Sequence, residues 1–354
     1  MGLFGGSKSL VGVDIGSSAI KAVEMKPVGK GGFELVSIGH VPLLSDTIVD
    51  GHIIDLNHVS DVISRIFTEQ GIKTREVGTS VSGHSVIIKK IDVPYMSDEE
   101  IAERINWEAE QHIPFDIQDV NLDFTVLNRD PASGSMQVLL VACKRDKIAQ
   151  YTTVISQAGR IPVFMDVDSF AIQNAYNINY QPMPTTTVAL LDVGASVTSV
   201  NIVRGDSSLF TRDISAGGNQ YTDLLQKELN LTFEQAEALK RGVPTENGLQ
   251  PDDAQPLIDS VTDILAMEVQ KTLDFWRATS QMGDAAQIDR VLVAGGSSKI
   301  RSLTSSFSER FGIPVEKFDS FRNIRFNSKK FDEEYIRELS PNMAVAVGLA
   351  SRVM

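Results

Sequence analysis

The sequence predicts an α/β protein of two lobes, on three observations. One short phrase occurs twice: Val13-Asp14-Ile15-Gly16-Ser17-Ser18 near the start and Leu191-Asp192-Val193-Gly194-Ala195-Ser196 past the middle. Each copy opens a half of the chain, and strands and helices follow it in a similar plan. At 354 residues the chain is also long for one core, so about two or three domains are expected.

Each copy of the phrase follows an apolar run (Leu10 to Val13, Val188 to Leu191) and leads into a second β-prone run. Both therefore read as β-hairpins with an Asp and a Gly at the turn. A turn of Gly and small hydroxyl residues lets backbone N–H groups approach an anion closely. A strand-end Asp suits a hydrated divalent cation, because hard cations prefer carboxylate oxygen and keep their water. Two such turns facing one another would grip a nucleoside triphosphate and its Mg²⁺ from both sides. One D-x-G-x-S alone would carry no weight.

Composition narrows the function classes. Apolar residues at 42% and charged residues at 22% fit a soluble globular chain. A formal charge of −13 with a pI near 4.9 argues against nonspecific nucleic-acid binding, which needs Lys and Arg on phosphates. The single cysteine, Cys143, lies in an apolar run and reads as a buried thiol, in keeping with a reducing, cytoplasmic setting. No run approaches the roughly 18 apolar residues of a membrane-spanning helix. The start Met1-Gly2-Leu3-Phe4-Gly5-Gly6 resembles a myristoylation signal, but Gly6 replaces its Ser or Thr. It is read as a tail in which Leu3 and Phe4 are weak docking residues.

The first half begins with strands at about 10–15, 19–25 and 33–41. A helix at 58–70 carries Val59, Val62, Ile63, Ile66 and Phe67 on one stripe, and Gly71 stops it. Strands at 76–82 and 86–93 flank the turn Ser82-Gly83-His84, where His84 reads as a turn residue rather than a ligand. From Pro94 an insert is expected to about 166. Ser97 and Glu100 form a capping box before a helix with Ile101, Ile105 and Ala109 on one face. Strands at 122–127 and 136–143, a helix at 146–158 and a strand at 162–166 follow. Gln181-Pro182-Met183-Pro184 marks the lobe boundary.

The second half repeats the meander, with strands at 187–192, 197–203 and 208–214. Gly217 and Gly218 then open a helix at 220–229, where free N–H groups would meet a phosphate or ribose. The next helix has Thr232 and Gln235 as a capping box, with Glu237 and Lys240 sharing a face. By itself that pair reads as a solvated ion pair. A long helix at 255–282 turns Val261, Leu265, Val269, Leu273 and Trp276 inward. A buried strand at 291–294 runs into Gly295-Gly296-Ser297-Ser298, a junction whose flat slot suits an adenine ring and which any tight strand-to-helix turn also shows.

Taken together, Asp14-Ile15-Gly16, Asp192-Val193-Gly194, Gly217-Gly218, Glu237-x-x-Lys240 and Gly295-Gly296 resemble, in order, the phosphate, ribose-side and adenosine motifs of the actin-like ATPase superfamily. Within it the chain resembles the PilM family of type IV pilus assembly proteins, relatives of the division protein FtsA. That closer resemblance rests on Met1-Gly2-Leu3-Phe4, on Asp14 through Lys21, and on Glu110-Gln111-His112-Ile113-Pro114-Phe115-Asp116. It covers essentially the whole chain.

The resemblance implies the actin-like, ribonuclease H-like fold with an FtsA-type insert in the first lobe. The first lobe would span 1–184 with the insert at about 94–166, the second 185–340, and a helix in 341–354 would return to the first lobe. It implies ATP and Mg²⁺ as ligands. Asp14 and Asp192 would position the metal. Gly16, Ser17, Ser18, Gly194, Ala195 and Ser196 would cradle phosphates, with Lys21 adding charge if it turns inward rather than to the surface. Gly217, Gly218, Glu237 and Lys240 fall on the ribose side, and Gly295, Gly296 and Ser297 at the adenine. Asp166, Asp168 and Gln173 lie where the family orients the attacking water, although a strand-end Asp is more often a cap. No residue is assigned as catalytic, and slow hydrolysis at best is expected.

The resemblance also implies a partner: a short N-terminal cytoplasmic peptide of the inner-membrane protein PilN, received in a groove beside the insert. Other pilus-assembly components, including the cytoplasmic motor ATPases, are further candidates. The protein would reach the inner face of the inner membrane through its partner and support pilus biogenesis and twitching motility. The chain stops at Met354, without the membrane helix that ends FtsA-like proteins, so direct insertion is not expected. Two rival readings share the fold: a small-molecule (sugar or carboxylate) kinase and a self-polymerising filament protein.

Overall fold

The computed structural model describes residues 10–352 apart from 30, 247, 281, 282, 284 and 285. The readings of Met1 to Gly6, Met282 and Met354 lie outside the described residues. Strands β1 (Leu10–Ile15), β2 (Ala19–Val28) and β3 (Gly32–Pro42) form an antiparallel meander. Two short strands, β4 (Ile48–Val49) and β5 (His52–Ile53), precede helix α1 (Leu56–Glu69). The Asp55 carboxylate caps α1 at the His58 N–H, and the expected stripe of Val59, Val62, Ile63, Ile66 and Phe67 is buried. β6 (Glu76–Val81) then pairs parallel with β1.

β7 (Val86–Pro94), α2 (Asp98–Glu110), β8 (Val120–Asp130) and β9 (Ser135–Lys144) build the insert, whose sheet runs in the order β7-β9-β8. The Ser97–Glu100 capping box starts α2, and Ile101, Ile105 and Ala109 pack on Met136, Val138, Leu140 and Ala142 of β9 in a core of the insert's own. Ile113 lies in that core with Phe115 against it. α3 (Arg145–Gln157) packs on α1, and β10 (Ile161–Val167) pairs with β6. Two strands thus change places relative to the reading of the sequence. β7 joins the insert's sheet and β10 leaves it, because Pro94 ends a strand whose Ile91 and Val93 are already buried in the insert core.

α4 (Asp168–Tyr180) leads to the second meander, β11 (Thr187–Val193), β12 (Thr198–Arg204) and β13 (Ser207–Ile214). Helices α5 (Gly218–Leu229), α6 (Phe233–Lys240) and α7 (Pro251–Thr279) cover one face of that sheet. Val261, Leu265, Val269, Leu273 and Trp276 of α7 are buried as their spacing predicts. β14 (Arg290–Ala294) pairs parallel with β11, and after α8 (Leu303–Phe311) β15 (Val315–Lys317) extends the sheet. β16 (Ile324–Arg325) instead crosses to β3, giving sheets β10-β6-β1-β2-β3-β16 and β13-β12-β11-β14-β15.

After α9 (Glu333–Leu339), helix α10 (Ala344–Ala350) is buried along its whole length between β1 and α4. Two glycines permit the approach. A Cβ at Gly12 would lie 2.2 Å from the Ala346 carbonyl oxygen, and one at Gly348 would lie 1.7 Å from that of Ala171. α10 thereby ties β1 to α4, which in turn packs on β11 and β12 of the second meander.

Candidate functional site

The two Asp-Gly turns close alike. The Gly16 N–H donates to the Ala19 carbonyl (3.2 Å), and the Gly194 N–H donates to that of Val197 (3.0 Å). In each, the Asp stands two residues before the Gly, on the inner strand of the hairpin. Register then separates them: Asp14 faces Lys21, whereas Asp192 faces Ser199. Lys21 turns inward and its Nζ donates to Asp14 Oδ2 at 2.9 Å. The surface alternative for this lysine is excluded by that geometry.

Around the second turn, three later segments converge. Gly218 and Asn219 at the start of α5 donate their N–H groups to the carbonyls of Gly194 (2.9 Å) and Ala195 (2.8 Å). The Ser297 hydroxyl donates to the same Gly194 carbonyl at 2.9 Å. Lys240 Nζ donates to the Gly218 carbonyl (3.2 Å) and Thr222 Oγ1 (2.8 Å), and it is paired with Glu237. Thr222 in turn donates to Glu237 at 2.5 Å. The Glu237–Lys240 pair is thus enclosed against α5, and burial pulls the Lys240 ammonium below its usual range, against the pull of Glu237. Its reading as a solvated surface pair fails.

Three of the glycines let these segments approach one another more closely than a side chain would allow. A Cβ at Gly217 would lie 2.7 Å from the carbonyls of Gly194 and Ala195, and one at Gly218 would lie 2.5 Å from Ser297 Oγ. Gly295, at φ +86°, would carry a Cβ 2.5 Å from Asp192 Oδ1, so it needs glycine on both counts. Gly296 is exposed, and a Cβ there would meet nothing within 4 Å: it borders open space. One expectation is corrected here. The N–H groups of Gly16, Gly194 and Gly218 are engaged within the protein, because they close the turns and tie α5 to them.

Four carboxylates gather beside the turns. Asp168, the first residue of α4, accepts from Ser80 Oγ at 2.5 Å. Asp213 of β13 accepts from the Gly83 N–H (2.6 Å) and Ser199 Oγ (2.7 Å). Burial, then the charges of Asp14, Asp168 and Asp213, push Asp192 up to about 7 against the pull of Lys21. Burial and Asp14 likewise raise Asp168. On Lys21, burial is outweighed by Asp14, Asp192 and Asp168, so its ammonium is held above the usual range. Lys147 is 2% exposed and donates to the Ser82 carbonyl at 2.8 Å. Of the three residues named for orienting water, only Asp168 stands in this group. Asp166 is paired with Arg352 (2.7 Å), and Gln173 donates to the Asp206 carbonyl (2.6 Å).

Among the described residues, no three His, Cys, Asp or Glu side chains are grouped to hold a metal ion directly. Asp14 and Asp192, carboxylates at or near strand ends, are the residues whose donor chemistry would suit a hydrated Mg²⁺. Sequence reasoning missed Asp213 and Lys147. Neither sits in a glycine-rich turn, and only the register Ser199 to Asp213 could have drawn attention to the former.

Beside this group, a cavity of about 400 Å³ lies where the insert meets both lobes. Val86, Ile88 and Phe115 line its apolar side, and Asp168, Arg212 and Asp213 its polar side. The two halves of the chain also touch near these residues: Lys90 Nζ donates to the carbonyls of Ser208 (2.9 Å) and Leu209 (3.2 Å), and His84 Nε2 lies 2.7 Å from Ser215 Oγ.

Comparison with known proteins bears on this architecture. A family model described as "Type IV pilus assembly protein PilM" matches residues 12–354. The chain is similar to the solved "PilM-PilN type IV pilus biogenesis complex", at 29% identity and TM-score 0.85, covering 97% of this chain and 98% of that one. Two further structures share the fold alone. The ethanolamine utilization protein EutJ from Carboxydothermus hydrogenoformans is 14% identical with TM-score 0.56, over 96% and 88% of the two chains. MreB5 of Spiroplasma citri, solved bound to ADP, is 14% identical with TM-score 0.53, over 97% and 95%. With an actin-like ATPase fold and a family match over nearly its whole length, the chain belongs to the type IV pilus assembly protein PilM family.

Proposed function

We propose that the chain is an ATP-binding component of type IV pilus assembly, acting at the inner face of the inner membrane through a PilN-like partner. The observation that carries the nucleotide reading is the cradle around Gly194, where the second Asp-Gly turn, α5 and the Gly295–Ser297 turn interlock beside Asp192. Asp14 and Asp192 would hold Mg²⁺ through water. With the glycine N–H groups engaged, Ser17, Ser18, Ala195 and Ser196 are the donors left to the phosphates. Glu237 and Lys240 fall to the ribose side, and Gly295, Gly296 and Ser297 to the adenine. Bound MgATP would supply a polarised γ-phosphate. Of the candidate residues Asp168 alone is grouped with Asp14, and it would be the one to orient water; slow turnover at best is expected.

The cavity beside the insert suits a short peptide with apolar side chains, taken between Phe115, Val86 and Ile88 and the polar wall of Arg212 and Asp213. The solved PilM–PilN relative supports PilN as its source. Among the described residues no helix is long and apolar enough to cross a membrane, in keeping with recruitment through a partner. The kinase reading loses support because Ile113 is buried in the insert's core and Phe115 turns an apolar ring to the cavity, where a sugar or carboxylate would be met by polar groups.

Calorimetric titration tests both parts. MgATP should bind the wild type and fail to bind Asp14→Ala or Asp192→Ala. The N-terminal PilN peptide should bind the wild type, with ATP changing its affinity by on the order of 1 kcal/mol. Full MgATP binding by both Asp variants would remove the nucleotide site, and a peptide indifferent to Phe115→Ser would remove the groove. ADP release that rises with an added sugar or carboxylate would restore the kinase reading, and nucleotide-dependent light scattering the filament reading.

A further inference from the structure

The two hairpins are alike in chain path and unlike in charge. In the second, Asp192 faces Ser199, whose hydroxyl turns away to Asp213. In the first, Asp14 faces an ammonium. The Lys21 and Asp14 side chains are only 14% and 11% exposed, at 2.9 Å from each other. The ammonium is tucked under the turn, since a Cβ at Gly16 would lie 3.0 Å from Lys21 Nζ. Asp192 and Asp168 also act on it electrostatically. One cation therefore stands among three carboxylates, on the side where a divalent ion would be held.

We propose that Lys21 competes with the divalent cation for Asp14, so that the metal binds the cleft only together with nucleotide. The inference rests on the cleft being the MgATP site. A lysine paired directly across the hairpin from Asp14 presents its charge at a high effective concentration. Free Mg²⁺ sheds water reluctantly and gains only carboxylates already facing a cation. Nucleotide changes the balance by bringing phosphate oxygens. The ammonium, a point charge on a flexible four-carbon stem, then has a second anion to turn to. Asp14 is released to the hydrated metal. Lys21 thus acts as the residue that selects metal–nucleotide over metal alone.

Equilibrium dialysis with Mn²⁺ as the probe, with and without ATP, tests this on the full chain. Wild type should retain Mn²⁺ far more weakly alone than when ATP is present. Lys21→Met should retain Mn²⁺ alone about tenfold more tightly than wild type. Adding Asp14→Asn to Lys21→Met should abolish that gain, and Lys21→Arg should behave as wild type. Wild type that binds Mn²⁺ alone as tightly as with ATP overturns the proposal without any variant, should Lys21→Met fail to fold. So does a folded Lys21→Met that gains nothing while wild type binds Mn²⁺ with ATP. Wild type that retains Mn²⁺ under neither condition instead removes the underlying reading of the cleft.

Discussion

The Ser297 hydroxyl donates to the carbonyl of Gly194 at 2.9 Å, joining two turns 103 residues apart. A Cβ at Gly218 would lie 2.5 Å from that same hydroxyl oxygen, its one contact under 3.0 Å. Ser297→Ala should therefore cost about 1 kcal/mol for the lost hydrogen bond. Gly218→Ala should cost about 1–3 kcal/mol by overpacking. Because the clash is with Ser297 itself, the double variant should be more stable than the sum predicts. Strict additivity in urea melts would show that the two residues do not share one contact.

Glycines of the same chain should behave oppositely. At Gly348 an added Cβ meets the Ala171 backbone oxygen at 1.7 Å, and neither helix backbone can yield cheaply. Gly348→Ala should cost about 3 kcal/mol or more and drive α10 out of place. Gly296→Ala meets nothing within 4 Å and should change stability by less than about 0.5 kcal/mol. If Gly296 borders the adenine, that same substitution should still weaken ATP binding severalfold. Paired thermal melts and ATP titrations would separate the two effects.

Asp192 is pushed up to about 7, chiefly by burial and then by Asp14. In the unfolded chain an aspartate titrates near about 3.9. The folded form thus keeps its proton over a window in which the unfolded form has lost it. Its contribution is full below about pH 4 and is lost as pH rises through 7. Asp192→Asn should stabilise the ligand-free protein at pH 8 by up to about 4 kcal/mol, while removing MgATP binding. A variant no more stable than wild type at pH 8 would contradict the assigned shift.

His40 pairs with Lys21 across β2 and β3, and it is lowered to about 4 by burial and by the charges of Lys21 and Lys299. Its sign is the reverse. An unfolded histidine takes a proton near about 6.5 while the folded one still refuses it. Stability is therefore full above pH 6.5 and falls as pH drops toward 4. By pH 5 the loss should reach about 2 kcal/mol. His40→Gln should flatten that limb of the pH–stability curve. An unchanged acid limb in the variant would assign the loss to other groups.

Local rules made much of this protein legible in its amino-acid order. The repeated Asp-Gly turns, the capping boxes at Ser97–Glu100 and Thr232–Gln235, and the stripes of α1 and α7 depend on residues within a few positions of one another. Helical period, hairpin closure and caps act over that range, so the sequence alone determined them. It also carried the order of motifs that marks the fold.

Tertiary structure decided what depends on distant partners. Nothing near Gly217 and Gly218 says that the Gly218 N–H will be engaged by Gly194 rather than left open. Lys21 had two faces available until Asp14 was paired opposite it, and Glu237–Lys240 was a surface pair until α5 closed over it. The exchange of β7 and β10 between sheets is of the same kind, since edge pairing is set by which apolar face finds a core. Asp213 entered the acidic group only through β-sheet register and the Gly83 N–H from the other lobe, 130 residues away. Such contacts form when long loops close, and their free energy belongs to the assembled packing rather than to any stretch of chain.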